Sequence, residues 1–282
     1  MSRDSAASAE RVLVLEAERA EQHYWRDIWA YRELFAMLAW RDFAVRYKQT
    51  VIGVAWALIR PALAMAVFTI VFGKIAKLPS QGGAPYAIMV FAGMLPWTFF
   101  ATALAEASGS LIGNVHLISK VYFPRLIVPT AAVVVAFIDF LIGFAVLALL
   151  MAWYRFLPPW QVVLLPAFVL LAFLASLGPG LMITALNVKF RDFRYVIPFL
   201  LQLGLYISPV GFSAKIIPAQ WQLIYSLNPL VGVIDGFRWC ILGPASAPYW
   251  PSVYLSVVVT ALFLWLGLFT FRKMERSFAD LI

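Results

Sequence analysis

Residues 127–152 read IVPTAAVVVAFIDFLIGFAVLALLMA, twenty-six positions in which Asp139 is the only charge. A stretch this long and apolar is too long for a buried strand and matches the roughly 20 residues a helix needs to cross a bilayer. Similar runs recur on both sides of it. Spans are expected at about 54–74, 86–107, 127–152, 162–186, 195–213 and 252–271, so the predicted fold class is an all-α membrane protein with six transmembrane helices. The composition of the 282-residue chain agrees: 63% of residues are hydrophobic and 13% charged, where a soluble domain carries about 25% charge. That balance excludes a disordered chain and a typical cytosolic enzyme. The single cysteine, Cys240, excludes an internal disulfide.

The basic residues give the direction. With the N-terminus inside, sixteen Lys and Arg fall in inner segments and five in outer ones, while Arg60 lies within the first span. Both ends are therefore expected in the cytoplasm. Residues 1–23 are polar and of mixed charge, without a secretory signal, and read as an N-terminal tail. From 24 to 48, Trp25, Ile28, Trp29, Phe35 and Leu38 alternate at helical spacing with Arg26, Arg32, Glu33, Arg41 and Asp42, which predicts an amphipathic helix lying in the cytoplasmic interface. Residues 49–282 then form the transmembrane domain. The charge-free run 216–234 carries Pro218, Gln220, Gln222, Asn228 and Pro229. It is read as part of an outer segment, 214–251, that re-enters the membrane as short broken helices and borders a pathway.

Several chemistries are absent from the sequence. There is no GxxxxGK[ST] phosphate loop, so this chain is not expected to bind ATP by one. Only two histidines are present, His23 and His116, which makes a metal site unexpected, and no Ser–His pair falls within a span. Inside the spans stand Arg60, Glu106 and Asp139. Arg60 and Glu106 are expected either to snorkel or to pair with each other. Asp139, near mid-span, is expected to face the bundle interior or a subunit contact in a structural role. Aromatics make up 16% of the chain, and a pathway lined by ring faces would suit a sliding sugar polymer.

Local motifs then carry a resemblance over residues 30–282. Trp40-Arg41-Asp42, Arg46-Tyr47-Lys48-Gln49-Thr50, Gly53, Trp56 and Pro61 come first. Gly93 with Pro96-Trp97 and Phe99 follow, then Asn114 and Lys120-Val121-Tyr122-Phe123-Pro124-Arg125. Asn187 with Phe190-Arg191-Asp192, Ser208-Pro209-Val210, Ile217-Pro218, Asn228-Pro229, and Phe271, Glu275 and Phe278-Ala279-Asp280 complete the order. The set resembles the permeases of ABC-2 type exporters, closest to the branch for O-antigen and related polysaccharides.

The resemblance implies a half-transporter: a second copy of the chain completes the channel, and two separate ABC ATPase subunits dock beneath and carry ATP and Mg, with no cofactor in this chain. It implies a bacterial inner-membrane location and an undecaprenyl-linked polysaccharide as substrate, with teichoic acid or capsule polysaccharide as alternatives and nucleic acid excluded. Glu33, Arg41, Asp42, Asn114, His116, Lys120 and Arg125 are the implied ATPase-coupling residues. Arg46, Lys48 and Arg60 would receive the substrate pyrophosphate at the cytoplasmic side. Trp97, Phe99, Phe199 and Tyr206 are candidate channel aromatics, and Pro209, Pro218, Asn228 and Pro229 would belong to the outer gate. A membrane enzyme acting on a lipid-linked sugar is the competing class, with Asp42, Asp192 and Asp235 as its nearest carboxylates.

Overall fold

The computed structural model describes residues 24–48, 53–190, 192–275 and 278. The expected tail 1–23 and the motif residues Gln49, Thr50, Arg191, Ala279 and Asp280 lie outside them, as does the side chain of Lys48. The described residues are helical, without a strand. In chain order they form α1 (Tyr24–Ala30), α2 (Arg32–Lys48), α3 (Gly53–Phe68), α4 (Tyr86–Gly113), α5 (Val115–Lys120) and α6 (Ile127–Trp153). Then come α7 (Leu165–Lys189), α8 (Phe193–Ile207), α9 (Ala219–Tyr225), α10 (Pro229–Leu242) and α11 (Trp250–Glu275).

Four elements are long and apolar enough to cross a membrane: α4, α6, α7 together with the 3₁₀ turn leading into it, and α11. They match four of the six expected spans. The expected span 54–74 is α3 continued by a π-helical stretch, Thr69–Ile75, that ends with Ala76 N–H donating to Val71 O at 2.8 Å. The expected span 195–213 holds α8, whose 15 residues extend about 22 Å, short of a hydrocarbon core of about 30 Å.

The four prolines inside α3, α4, α7 and α8 (Pro61, Pro96, Pro179 and Pro198) each remove one intrahelical bond. Helices packed among neighbours tolerate that loss because nearby groups satisfy the freed carbonyls.

α4 is the centre of the bundle and touches α3, α6, α7, α8 and α10. Its residues 87–97 are all buried. Lipid is as apolar as leucine, so burial of apolar area alone does not hold such helices together; close packing and buried hydrogen bonds do. Small residues supply the closeness at the α7–α11 crossing, where Gly178 and Gly267 bring the two backbones into contact. Hydrogen bonds tie α7 to α4: Thr184 Oγ1 donates to Ala107 O at 2.7 Å, and Asn187 Nδ2 to Ser108 O at 2.7 Å. A cluster of rings fills the space between α4, α6, α7 and α10: Phe99, Phe137, Phe140, Phe173 and Phe237 lie within 5.5–6.2 Å of one another in successive pairs.

The stretch expected to be broken helices is broken: α9 and α10 are short and flanked by 3₁₀ turns at Ala214–Ile216 and Pro244–Ser246. It is less peripheral than expected, however. α10 packs against α4, α7 and α11, and of its residues from Leu230 onward only Trp239 is not buried. α10 begins where Asn228 Oδ1 accepts from Leu230 N–H at 3.0 Å, with Pro229 in the first turn, where its missing N–H costs nothing.

The amphipathic stretch forms two helices, α1 and α2, joined at Tyr31 by continuing backbone bonds. Its apolar residues divide between two faces. Ile28, Leu34, Phe35 and Leu38 pack on the bundle, whereas Trp25, Trp29, Met37 and Trp40 point outward. The outward tryptophans are the ones suited to a membrane–water boundary.

Candidate functional site: a polar cavity under the α2 lever

A cavity of about 520 Å³ opens between α2, α3, α4 and α6. Arg46, Tyr47, Trp56, Arg60, Thr98, Phe99, Thr102, Glu106, Asp139 and Phe140 contribute to its wall. One guanidinium organises it. Arg46 Nη2 meets Glu106 Oε1 at 2.6 Å, and Arg46 Nη1 donates to Asp139 Oδ2. Tyr47 Oη donates to the other oxygen of Asp139. Burial, and then the bond to Asp139, push the Tyr47 phenol above its ordinary value, so the hydroxyl stays a donor. Arg60 faces the same cavity from α3 with its guanidinium carbon 5.9 Å from the Trp56 ring, and makes no ion pair among the described residues.

This pairing replaces the expected one. Glu106 binds Arg46 of α2 instead of Arg60, because α2 lies against α6 and brings Arg46 between the two carboxylates. Asp139 faces the interior, as its mid-span position demands. Its partners Arg46 and Tyr47 went unrecognised in the sequence, although a mid-span carboxylate calls for a cation and the Arg46-Tyr47 pair lies in a motif.

A second polar group joins α2 to the α4–α5 turn. Arg41 Nη2 meets Asp42 Oδ1 at 2.7 Å and donates to Asn114 Oδ1 at 2.6 Å, while Asn114 Nδ2 donates to Ser110 O at 2.8 Å. Arg41, Asp42 and Asn114 are thus brought together, whereas Glu33, His116 and Lys120 stand exposed. Arg125 belongs to a different junction. Its N–H donates to Glu275 Oε1 at 2.9 Å, its guanidinium donates to Glu275 O, and Tyr24 Oη donates to Glu275 Oε1 at 3.2 Å. The Arg272 guanidinium lies 3.5 Å from the centre of the Tyr24 ring. Burial, followed by the Glu275 carboxylate, raises the Tyr24 phenol above its ordinary pKa. α1, the turn before α6 and the end of α11 are therefore clasped together.

The remaining candidates separate. Trp97 and Phe99 are buried within the chain's own core, with Phe99 reaching the cavity wall, while Phe199 and Tyr206 are exposed on α8. Pro209 is buried and Pro218 exposed. Asn228 Nδ2 donates to Ser208 Oγ at 3.0 Å, which joins the Ser208-Pro209 and Asn228-Pro229 motifs. Asp42, Asp192 and Asp235 share no pocket and no hydrogen bond among the described residues.

Arg238 falls in the expected outer segment, and its burial is not among the expectations. Its side chain is 0% exposed, and it donates to Val210 O at 2.6 Å, Phe212 O at 2.7 Å and Met89 O at 3.2 Å. It fastens α10 and the 208–213 turn onto α4. Gly93 makes room for it: a Cβ there would stand 2.7 Å from Arg238 Nη2.

Comparison with known proteins bears on this architecture. Over 259 residues the chain is 27% identical to the O-antigen export system permease protein RfbA of Myxococcus xanthus, covering 91% of this chain and 98% of that one. It is 24% identical over 252 residues to the protein of the same name from Klebsiella pneumoniae, covering 89% and 95%. A third relative, the inner membrane transport permease YadH of Escherichia coli K12, is 26% identical over 215 residues, 73% of this chain and 83% of that one. The profile of the ABC-2 type transporter family matches residues 33–242, from α2 to the end of α10, and the chain belongs to that family.

Proposed function

We propose that this chain is the permease half of an ATP-driven exporter that moves an undecaprenyl-linked polysaccharide, of the O-antigen class, across the bacterial inner membrane. Two copies form the pathway, and two separate ATPase subunits bind ATP and Mg beneath them. In this reading α3 with its π-helical continuation and α8 are crossings too, giving six, and both chain ends face the cytoplasm. α2 and α5 are the levers on which the ATPase acts, and the 208–229 motifs belong to the outer gate.

The observation that carries the reading is a juxtaposition. The polar cavity holding Arg46 and Arg60 is walled by α2, the same helix whose Arg41 and Asp42 engage the α4–α5 turn. A displacement of α2 from below reaches the cavity within about one and a half helical turns. The names of the relatives, which align along almost their whole length, supply the polysaccharide. Teichoic acid and capsule polysaccharide are the alternative cargoes of the same chemistry.

The test is purification of the tagged chain from native membranes in mild detergent, with mass spectrometry of what accompanies it. A stoichiometric P-loop ATPase, together with loss of surface polysaccharide on deletion of the chain, is the expected result. A chain that purifies alone and whose deletion leaves the surface glycan unchanged would overturn the reading.

A further inference from the structure

The Arg46 cluster sets one guanidinium against two carboxylates, a formal excess of one negative charge. Both terminal nitrogens of its guanidinium are committed, one to Asp139 on α6 and one to Glu106 on α4. The planar fork of an arginine is matched by two oxygens of a carboxylate or a phosphate. Here two carboxylates from different helices occupy the positions that two phosphoryl oxygens would take. Arg60, lining the same cavity from α3, makes no ion pair with a carboxylate among the described residues. The two acids are not held alike. The Glu106 side chain is 49% exposed against 24% for Asp139, so Glu106 has solvent to swing into, while Asp139 keeps Tyr47 as a donor when Arg46 leaves.

We propose that Glu106 and Asp139 are an internal stand-in for the substrate's anionic headgroup: a lipid-borne diphosphate loads this cavity by taking Arg46 from the two carboxylates, with Arg60 as its second cation. This rests on the exporter reading and names how its site is regulated. Two consequences follow from the geometry. First, the cavity is a poor trap for free anions, because each must displace an ion pair; a diphosphate anchored in the membrane is delivered at high local concentration and competes. Second, loading loosens a tie between α2 and α6, since Arg46, with Tyr47, is among the described α2 side chains bonded to Asp139. The lever helix therefore registers an occupied cavity by losing a contact, and the exchange links substrate arrival to the element that the ATPase would move.

The full chain reconstituted in nanodiscs of neutral lipid provides the test, titrated in parallel with undecaprenyl diphosphate and with inorganic pyrophosphate. The parent is expected to bind the lipid diphosphate and to bind inorganic pyrophosphate much more weakly. Glu106→Gln and Asp139→Asn each remove one competitor and are expected to tighten lipid binding about tenfold, the equivalent of one modest charge contact. Arg46→Gln and Arg60→Gln are expected to weaken it by a similar factor. Glu106→Gln keeps the Asp139 contacts with Arg46 and Tyr47, so it serves where Asp139→Asn fails to fold. If the parent binds and the Glu106 variant binds no tighter, the exchange is wrong while the exporter reading stands. If inorganic pyrophosphate binds as well as the lipid, the ligand is a free anion and the loading route is wrong. A parent that does not bind the lipid diphosphate at all would overturn the exchange and the lipid-linked substrate together.

Discussion

Two arginines dominate the interior of this chain, and they are held in opposite ways. Arg238 is fully buried and bound to three backbone carbonyls, acceptors that cannot move away without unwinding the chain around them. Arg46 is part-exposed and bound to two carboxylates on side chains with freedom to rotate. The first arrangement suits permanence and the second suits exchange. A buried guanidinium hydrogen-bonded to backbone carbonyls, with the Asp235 carboxylate offsetting part of its burial, keeps a desolvation cost at all times, so it persists only where the surrounding backbone depends on it. A guanidinium with movable anionic partners has an alternative state in which another anion takes their place.

Perturbing each arginine separately breaks or sharpens this contrast. Arg238→Met removes the side-chain donor from the Val210, Phe212 and Met89 carbonyls and the positive charge beside the buried Asp235 carboxylate, and is expected to cost about 3–5 kcal/mol. Its checkable signature is a sharply lower melting temperature in detergent, followed by fluorescence-detected size exclusion. Arg238→Lys should rescue little, because a single ammonium lacks the fork that reaches several acceptors at once. A stable Arg238→Met would erase the contrast.

Tyr24→Phe tests an intermediate case, a clasp made of a neutral donor on a buried carboxylate. It keeps the ring under Arg272 but removes the bond to Glu275, for an expected loss of about 1 kcal/mol in the same assay. The smallest stability effect is expected for Arg41→Ala, at an exposed pair worth under about 0.5 kcal/mol. Its consequence should appear in function instead: the rate of ATP hydrolysis stimulated by substrate in the reconstituted exporter is expected to fall severalfold while the melting temperature holds. Unchanged stimulation would remove the Arg41–Asn114 contact from the coupling route.

These sites differ in how far the sequence announces them. The long helices are legible because hydropathy is a local property: α4, α6, α7 and α11 each appear as a long, mostly apolar run. Asp139 is legible as a problem, since a mid-span acid needs a partner, but the partner lies 93 residues away on another helix. Within the spans Arg60 and Glu106 are the only opposite charges near one end, whereas Arg46 belongs to the amphipathic helix, whose packing against α6 hydropathy does not disclose. Arg238 was hidden for a related reason. Its segment reads as an irregular outer stretch carrying Pro218, Gln220, Gln222, Asn228 and Pro229, and only the packing of α10 on α4 reveals that the charge is enclosed. Gly93 held half of that information: a glycine in the middle of an apolar helix marks close approach, without saying by what.

The phenylalanine cluster has an electrical consequence. Phe99 and Phe140 form part of the cavity wall, and Phe137, Phe173 and Phe237 stand behind them, so rings occupy the space on the far side of the charged groups. A proton or metal ion arriving at Arg46 that tried to continue through the bundle would have to leave its hydration behind for several kcal/mol. The ring cluster is in this respect an insulating layer beside the cavity. In the exporter reading proposed above, the glycan's route therefore passes beside this ring cluster and not through it.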